Sequence, residues 1–155
     1  MKKYISITLL LLIPFKVIPE QKTINYHTNF HEVKTDPWRD IILSIQQVES
    51  KGSKTLYNKK ERAAGILQIR PIMIREVNRI VGYKKYKLKD RWDSTKSVQI
   101  FKTYQKNFNP TADLEVASRI WNGGIRGMRK RSTLKYYKKV KQIYDEIRNE
   151  QQNPS

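Results

Sequence analysis

Glu49 is the carboxylate whose position is hardest to explain by solubility alone. It follows Ile45 by four residues, Ile42 by seven and Ile41 by eight, so helical geometry sets it on the face those isoleucines turn to the core. A carboxyl there is partly dehydrated, and it falls in the last turn of its helix, where the dipole is negative. Both effects oppose ionisation, and an apolar pocket can lift a carboxyl to roughly 6. An acid that holds its proton near neutral pH is suited to donating it to a leaving oxygen. The competing reading is a helix that unwinds before Glu49 and leaves the side chain in water beside a lysine. Position alone does not separate the two.

The elements that must position this group read as helices. With 155 residues and 38% apolar content, the chain supports one modest core. A first helix opens at Asp36-Pro37, closes near Gly52, and turns Trp38, Ile41, Ile42, Ile45 and Val48 inward. A second is expected over Pro71 to Val81, with Ile74, Val77 and Val81 inward and Gly82 as its stop. A third starts at the cap Asp93, carries Val98, Phe101, Tyr104 and Phe108, and breaks at Asn109-Pro110. Thr111 is the expected cap of a fourth, with Leu114, Ala117, Ile120 and Trp121, ended by Asn122-Gly123-Gly124. The fifth runs from about Thr133 to Arg148 and points Tyr136, Tyr137, Val140, Ile143, Tyr144 and Ile147 at the core. No segment alternates as a half-buried strand would. The fold class is therefore mainly α, a single domain over residues 36–148 followed by a polar, frayed tail over 149–155.

The composition bounds the partner. Lys and Arg number 32 against 14 Asp and Glu, a formal charge of +18, which points to a polyanion: nucleic acid, an anionic membrane face or an anionic cell wall. Cysteine is absent, which excludes disulfides, thiolate metal sites and lipid attachment through a cysteine. Lys2 and Lys3 precede an apolar run from Tyr4 to Phe15 that is too short to span a bilayer, so residues 1–20 read as a secretory signal, with an uncleaved anchor as the alternative. Residues 21–35 read as a polar linker. His27 and His31 lie in it four apart, but no third ligand accompanies them, so neither a metal nor a cofactor is expected.

Four segments carry a family resemblance. Glu49-Ser50, the stretch Ala63-Ala64-Gly65-Ile66-Leu67-Gln68-Ile69-Arg70-Pro71, the turn Ile120-Trp121-Asn122-Gly123-Gly124, and the helix Thr133-x-x-Tyr136-Tyr137-x-Lys139-Val140 occur in this order. Together they resemble the signature of the soluble lytic transglycosylases and goose-type lysozymes, which cut the glycan strands of bacterial peptidoglycan. The chain departs from that pattern at Arg62, where the family has a glycine, at Trp121 in place of a tyrosine, and at Gly123 in place of an alanine. The resemblance implies a lysozyme-like fold with a substrate cleft, Glu49 as catalytic acid, and Ser50, Gly65, Ile66, Gln68, Asn122 and Tyr136 along the sugar. Plainer readings stand beside these. Gly65 is where backbone and sugar approach closely, or a loop glycine. Gln68 bonds an N-acetyl group or hydroxyl, or a loop. Asn122 contacts sugar or holds its turn. Tyr136 bonds Glu49 or substrate, or is core.

Glycosidic cleavage commonly uses two carboxylates, and only one is convincingly placed. Asp36 and Asp40 begin the first helix and Asp93 reads as a cap, which leaves Glu61 and Asp90 in loops. The resemblance implies one glutamate acting as acid and then base while the sugar's own 6-hydroxyl closes a 1,6-anhydro ring at the MurNAc-GlcNAc β-1,4 bond. If water attacks instead, the outcome is hydrolytic and Glu61 is the candidate second carboxylate. The expected partners are peptidoglycan strands and anionic wall polymers, met by a monomer exported to the periplasm or cell envelope, with the basic stretch Arg126 to Lys141 as a docking face or a solvated helix side. The rival class, a basic helical nucleic-acid-binding protein, fits the charge but not the signal-like start; no nucleic acid is expected.

Overall fold

The computed structural model describes residues 36–153, which belong to one unit, Thr35–Ser155. The signal, the linker and both histidines read from the sequence lie outside the described residues. Five helices carry the chain: α1 (Arg39–Ser50), α2 (Pro71–Val81), α3 (Ser94–Phe108), α4 (Leu114–Gly123) and α5 (Thr133–Gln152). Two 3-10 segments, Leu88–Trp92 and Gly127–Arg129, precede α3 and α5. The fold is mainly α, as the helical periodicity requires. α1 and α4 both pack along α5, and α2 packs on α3.

Local signals set most boundaries. α2 starts at Pro71, in the first-turn position that proline suits, and stops at Gly82, whose φ of 82° is left-handed. Asp93 caps α3 by accepting from the Lys96 amide at 3.0 Å. α1 begins later than expected: the Asp36 carboxylate accepts from the Trp38 amide within a preceding turn, and the regular helix starts at Arg39. Left-handed Lys51 and Gly52, with φ of 52° and 79°, end it just after Glu49-Ser50. Asp113, not Thr111, caps α4, accepting from the Val116 amide at 2.8 Å. The Asn109 side chain grips the Asp113 amide and carbonyl, which carries the loop past Thr111 before the helix can begin. α5 runs on to Gln152, so Asn149–Gln152 is helix instead of frayed tail; Gln151 donates to the Asp40 carboxylate on α1 at 3.2 Å.

One strand pair escaped the sequence reading. β1 (Tyr57–Asn58) and β2 (Ala63–Ala64) form an antiparallel hairpin with Tyr57 opposite Ala64 and Asn58 opposite Ala63. Two residues per strand are too few for alternation to register.

The core is built around aromatic contacts. Phe101 of α3 meets Trp121 of α4 with ring centroids 4.9 Å apart and Trp38 edge-on at 6.0 Å, while Ile45, Leu67, Val77, Ile100 and Val140 are fully enclosed. Val48, Val81, Val98, Phe108 and Leu114, expected inward, are only half-buried, and of the α5 residues expected at the core Val140 alone is fully buried while Tyr136, Tyr137, Ile143, Tyr144 and Ile147 are half-buried.

Two buried arginines hold the loops between these helices. Arg91 donates through Nη1 to the Arg62 and Ile69 carbonyls at 2.7 and 3.1 Å, and through Nε to the Leu88 carbonyl at 2.8 Å. Arg119 donates to Thr133 Oγ1, the Glu115 carboxylate and the Met128 carbonyl, which joins α4 to the start of α5. The segment after β2 presses so closely on the 3-10 helix that a Cβ on Gly65 would overlap the Arg91 carbonyl oxygen, and Gly65 is also left-handed at φ 77°. Gly82 shares the left-handed φ but has open space around its missing Cβ. Gly65→Ala is therefore expected to cost upwards of ~3 kcal/mol, through backbone displacement added to strain, and Gly82→Ala only ~1 kcal/mol. Thermal melts of the two variants compare the costs; equal losses would contradict the close approach.

Candidate active site

Glu49 occupies the last turn of α1, one turn beyond Ile45, and its carboxyl opens into a cavity of about 350 Å³. Each wall comes from a different element. The hairpin supplies Asn58, Glu61 and Ala63, the segment after β2 supplies Gln68, Ile69 and Arg70, α2 supplies Met73, and α4 supplies Trp121 and Asn122. Among the described residues, Glu49 and Glu61 are the two carboxylates that line it.

Tyr136 reaches Glu49 from α5. Its hydroxyl donates to Glu49 Oε1 at 2.7 Å, across 87 residues of sequence. Dehydration is the largest influence on the acid and, helped by Glu61, outweighs the Tyr136 hydrogen bond and the nearby Arg70 charge that pull the other way, so the pKa rises from 4.5 to about 7. Burial and the adjoining carboxyl raise the Tyr136 phenol well above its usual range, so it stays a protonated donor. The result is a carboxyl that carries its proton near neutral pH and whose anion, once formed, has a hydrogen-bond donor already in place.

The motif residues divide into those at the cavity and those behind it. Gln68 lines the cavity, but its Nε2 donates to the Leu56 and Gly65 carbonyls at 3.0 and 2.9 Å, so its amide is spent largely on the loop. Asn122 lines the cavity and accepts at its backbone carbonyl from Arg70 Nη2 at 3.2 Å. Three residues expected along the sugar lie behind the wall instead. Ser50 is buried and donates to the Ile66 carbonyl at 2.8 Å, which pins the segment after β2 to the end of α1. Ile66 packs into the core. The close approach at Gly65 is to the Arg91 backbone, as described above. These residues shape the cavity by fixing its wall.

The Arg62 departure has a conformational consequence. Arg62 sits at φ 54° and Gln68 at φ 45°, both left-handed, a conformation costing a side chain roughly 1–2 kcal/mol that glycine adopts freely. The position where the family pattern carries glycine thus needs that backbone. Here the Arg91 guanidinium, bonded to the Arg62 carbonyl, holds it.

Arg70 is the cavity residue that sequence reading passed over. Its Nη1 lies 3.3 Å from Glu61 Oε2, and its charge acts on Glu49. A signal was present: the residue before a proline is driven to extended backbone, and Arg70, at φ −82° and ψ 153°, leaves the path of α2 there. Asn58 and Met73 were also missed, and neither carries a local cue. Among the described residues no group of three or more His, Asp or Glu side chains converges as a metal site would.

The family model described as Transglycosylase SLT domain matches residues 28–145. No curated protein and no solved structure matched in the corresponding comparisons. The span takes in α1 with Glu49, the hairpin, the segment after β2, α2, α4 and α5 as far as Asp145, every element that reaches the cavity. The chain belongs to the transglycosylase SLT domain family, enzymes whose substrate is peptidoglycan.

Proposed function

We propose that this protein cleaves the β-1,4 bond between MurNAc and GlcNAc by a non-hydrolytic route in which Glu49 serves as acid and then as base. The observation that carries the reading is a cavity-facing carboxyl raised to about 7 by dehydration and bonded by the Tyr136 hydroxyl. In the first step the C1–O4 bond breaks and the Glu49 proton passes to the leaving O4. In the second the 6-hydroxyl oxygen of the same sugar bonds to C1 and its proton returns to Glu49. The acid is restored without a second carboxylate. Hydrolysis is the second reading, and the placement of Glu61 in the same cavity is what favours it.

An exported location accompanies this reading, since the substrate lies in the cell envelope; the leader-like pattern from Lys2 to Phe15 supports it. The anionic wall is the partner that the +18 charge fits. Exposed Arg126, Arg129, Arg131, Lys135, Lys138 and Lys139 cluster around the start of α5, on the chain just beyond the cavity residue Asn122, and form a docking face for wall polymers.

Purified peptidoglycan incubated with the protein tests the proposal through the mass of the released disaccharides. Anhydro ends are expected; ends heavier by one water would replace this route with hydrolysis, and no release would overturn both. Glu49→Gln is expected to reduce turnover at least ~100-fold while leaving an acceptor for Tyr136. Because the folded carboxyl titrates at about 7 and the unfolded one at 4.5, the folded state takes up the proton more readily. Ionised Glu49 therefore opposes folding by nothing below 4.5, by an increasing amount from 4.5 to 7, and by roughly 3 kcal/mol above both values. Glu49→Gln should accordingly melt higher than wild type at pH 8 and match it near pH 4; a variant melting lower at pH 8 contradicts a dehydrated acid. Tyr136→Phe removes the donor that favours the carboxylate, so its activity should fall roughly tenfold or more and its alkaline limb should move to higher pH than the wild-type limb near 7. An unmoved limb would place the hydroxyl outside the reaction.

A further inference from the structure

The cavity contains an ion pair that the acid–base cycle does not use. Arg70 Nη1 donates to Glu61 Oε2 at 3.3 Å and Nη2 donates to the Asn122 carbonyl at 3.2 Å. The guanidinium thus ties the hairpin loop to the end of α4. Its other partner in the pair, Glu61, is set in place by its own amide, which donates to Asn58 Oδ1 at 3.1 Å. Both side chains are substantially exposed, 37% and 49%, and an exposed pair is worth only ~0–1 kcal/mol. Stability alone is thus a weak reason for the arrangement.

Glu61 is nevertheless the one group beside Glu49, among the described cavity residues, able to take a proton from water. In the structure its Oε2 faces a guanidinium. The geometry points to Arg70 as a positioning residue that selects the acceptor: by holding Glu61 it leaves water unactivated, so the sugar's own hydroxyl closes on C1. This rests on the single-glutamate reading above and deepens it. In both outcomes the C1–O4 bond breaks and the Glu49 proton goes to O4. With Glu61 held, O6 bonds to C1 and the O6 proton goes to the Glu49 carboxylate. With Glu61 released, a water oxygen bonds to C1, one water proton goes to Glu61 and then to solvent, and Glu49 regains its proton from solvent.

The same pair acts on Glu49 electrostatically, which supplies a second readout. The groups that face the acid are Tyr136 from α5, Arg70 ahead of α2 and Glu61 from the hairpin loop, while α4 presents uncharged Trp121 and Asn122. Arg70 favours the carboxylate and Glu61 opposes it, so removing either leaves the other unbalanced.

The experiment compares wild type, Arg70→Gln, Glu61→Gln and the double variant on purified peptidoglycan, scoring water-containing against anhydro ends and recording each pH–rate profile. Arg70→Gln should yield roughly tenfold more hydrolytic ends and an alkaline limb moved up. Glu61→Gln should keep anhydro products with the limb moved down. The double variant should return to anhydro products with a limb near wild type, because the base that Arg70 restrains is gone. Anhydro products from wild type with an unchanged product ratio in Arg70→Gln would overturn the role of Arg70 alone, as would hydrolytic ends persisting in the double variant. Wild-type protein that releases only hydrolytic ends, or nothing, overturns the single-glutamate reading and this inference with it.

Discussion

Dehydration of one carboxyl is the constraint on which this structure turns. Glu49 sits where α1 buries its apolar stripe, and it stays there because the isoleucines one and two turns earlier are enclosed in the core, with α5 and α4 packed on α1. That packing fixes the helix end, and the helix end fixes the acid. Tyr136 compensates part of the burial by donating to the carboxylate from α5, so the protonated and ionised forms both have a place in the cavity. A fully apolar pocket would hold the proton and never release it; an open one would lose it to water. Opposing influences from burial, a phenol and a guanidinium leave the group poised between the two.

The wall around the acid is organised by polar contacts reaching backbone. Arg91 bonds the Arg62 and Ile69 carbonyls of the loop as well as Leu88 of its own 3-10 helix, and Arg119 joins the α4–α5 connection, which matters because buried loops lack the internal pairing of helices. Ser50 does the same on a smaller scale through the Ile66 carbonyl. Part of the recognisable family signature therefore acts one layer behind the cavity wall: Gly65 permits close packing and Ser50 anchors, while the chain reaches Arg70 at the cavity through left-handed Gln68. A signature of this kind marks a shape as much as a set of contacts.

Sequence carried the parts of the fold that depend on neighbours along the chain. α2 could be bounded to the residue because Pro71 and Gly82 act locally, and the Asp93 cap was visible for the same reason. Helical spacing set Glu49 on the core-facing side only if the helix reached it; that the helix runs through Ser50 before left-handed Lys51 and Gly52 end it is what the structure adds. What sequence left hidden depends on partners distant in the chain. Thr111 looked like a cap until the Asn109 side chain is seen gripping Asp113, and the two-residue strands at Tyr57 and Ala63 exist only because they pair. Arg70 lacked an evident role because its partners lie nine residues before it and 52 after it. Ser50, Gly65 and Ile66 were legible as a motif, but which side of the wall they occupy is a property of the packed loop.

The most direct test of the account is a carbon-detected titration of the Glu49 carboxyl in the folded wild-type protein, without substrate. The expected midpoint is near 7, well above the ordinary carboxyl value of 4.5. A midpoint near 4.5 would show a hydrated, ionised group at neutral pH and would contradict the claim that this side chain is the proton donor.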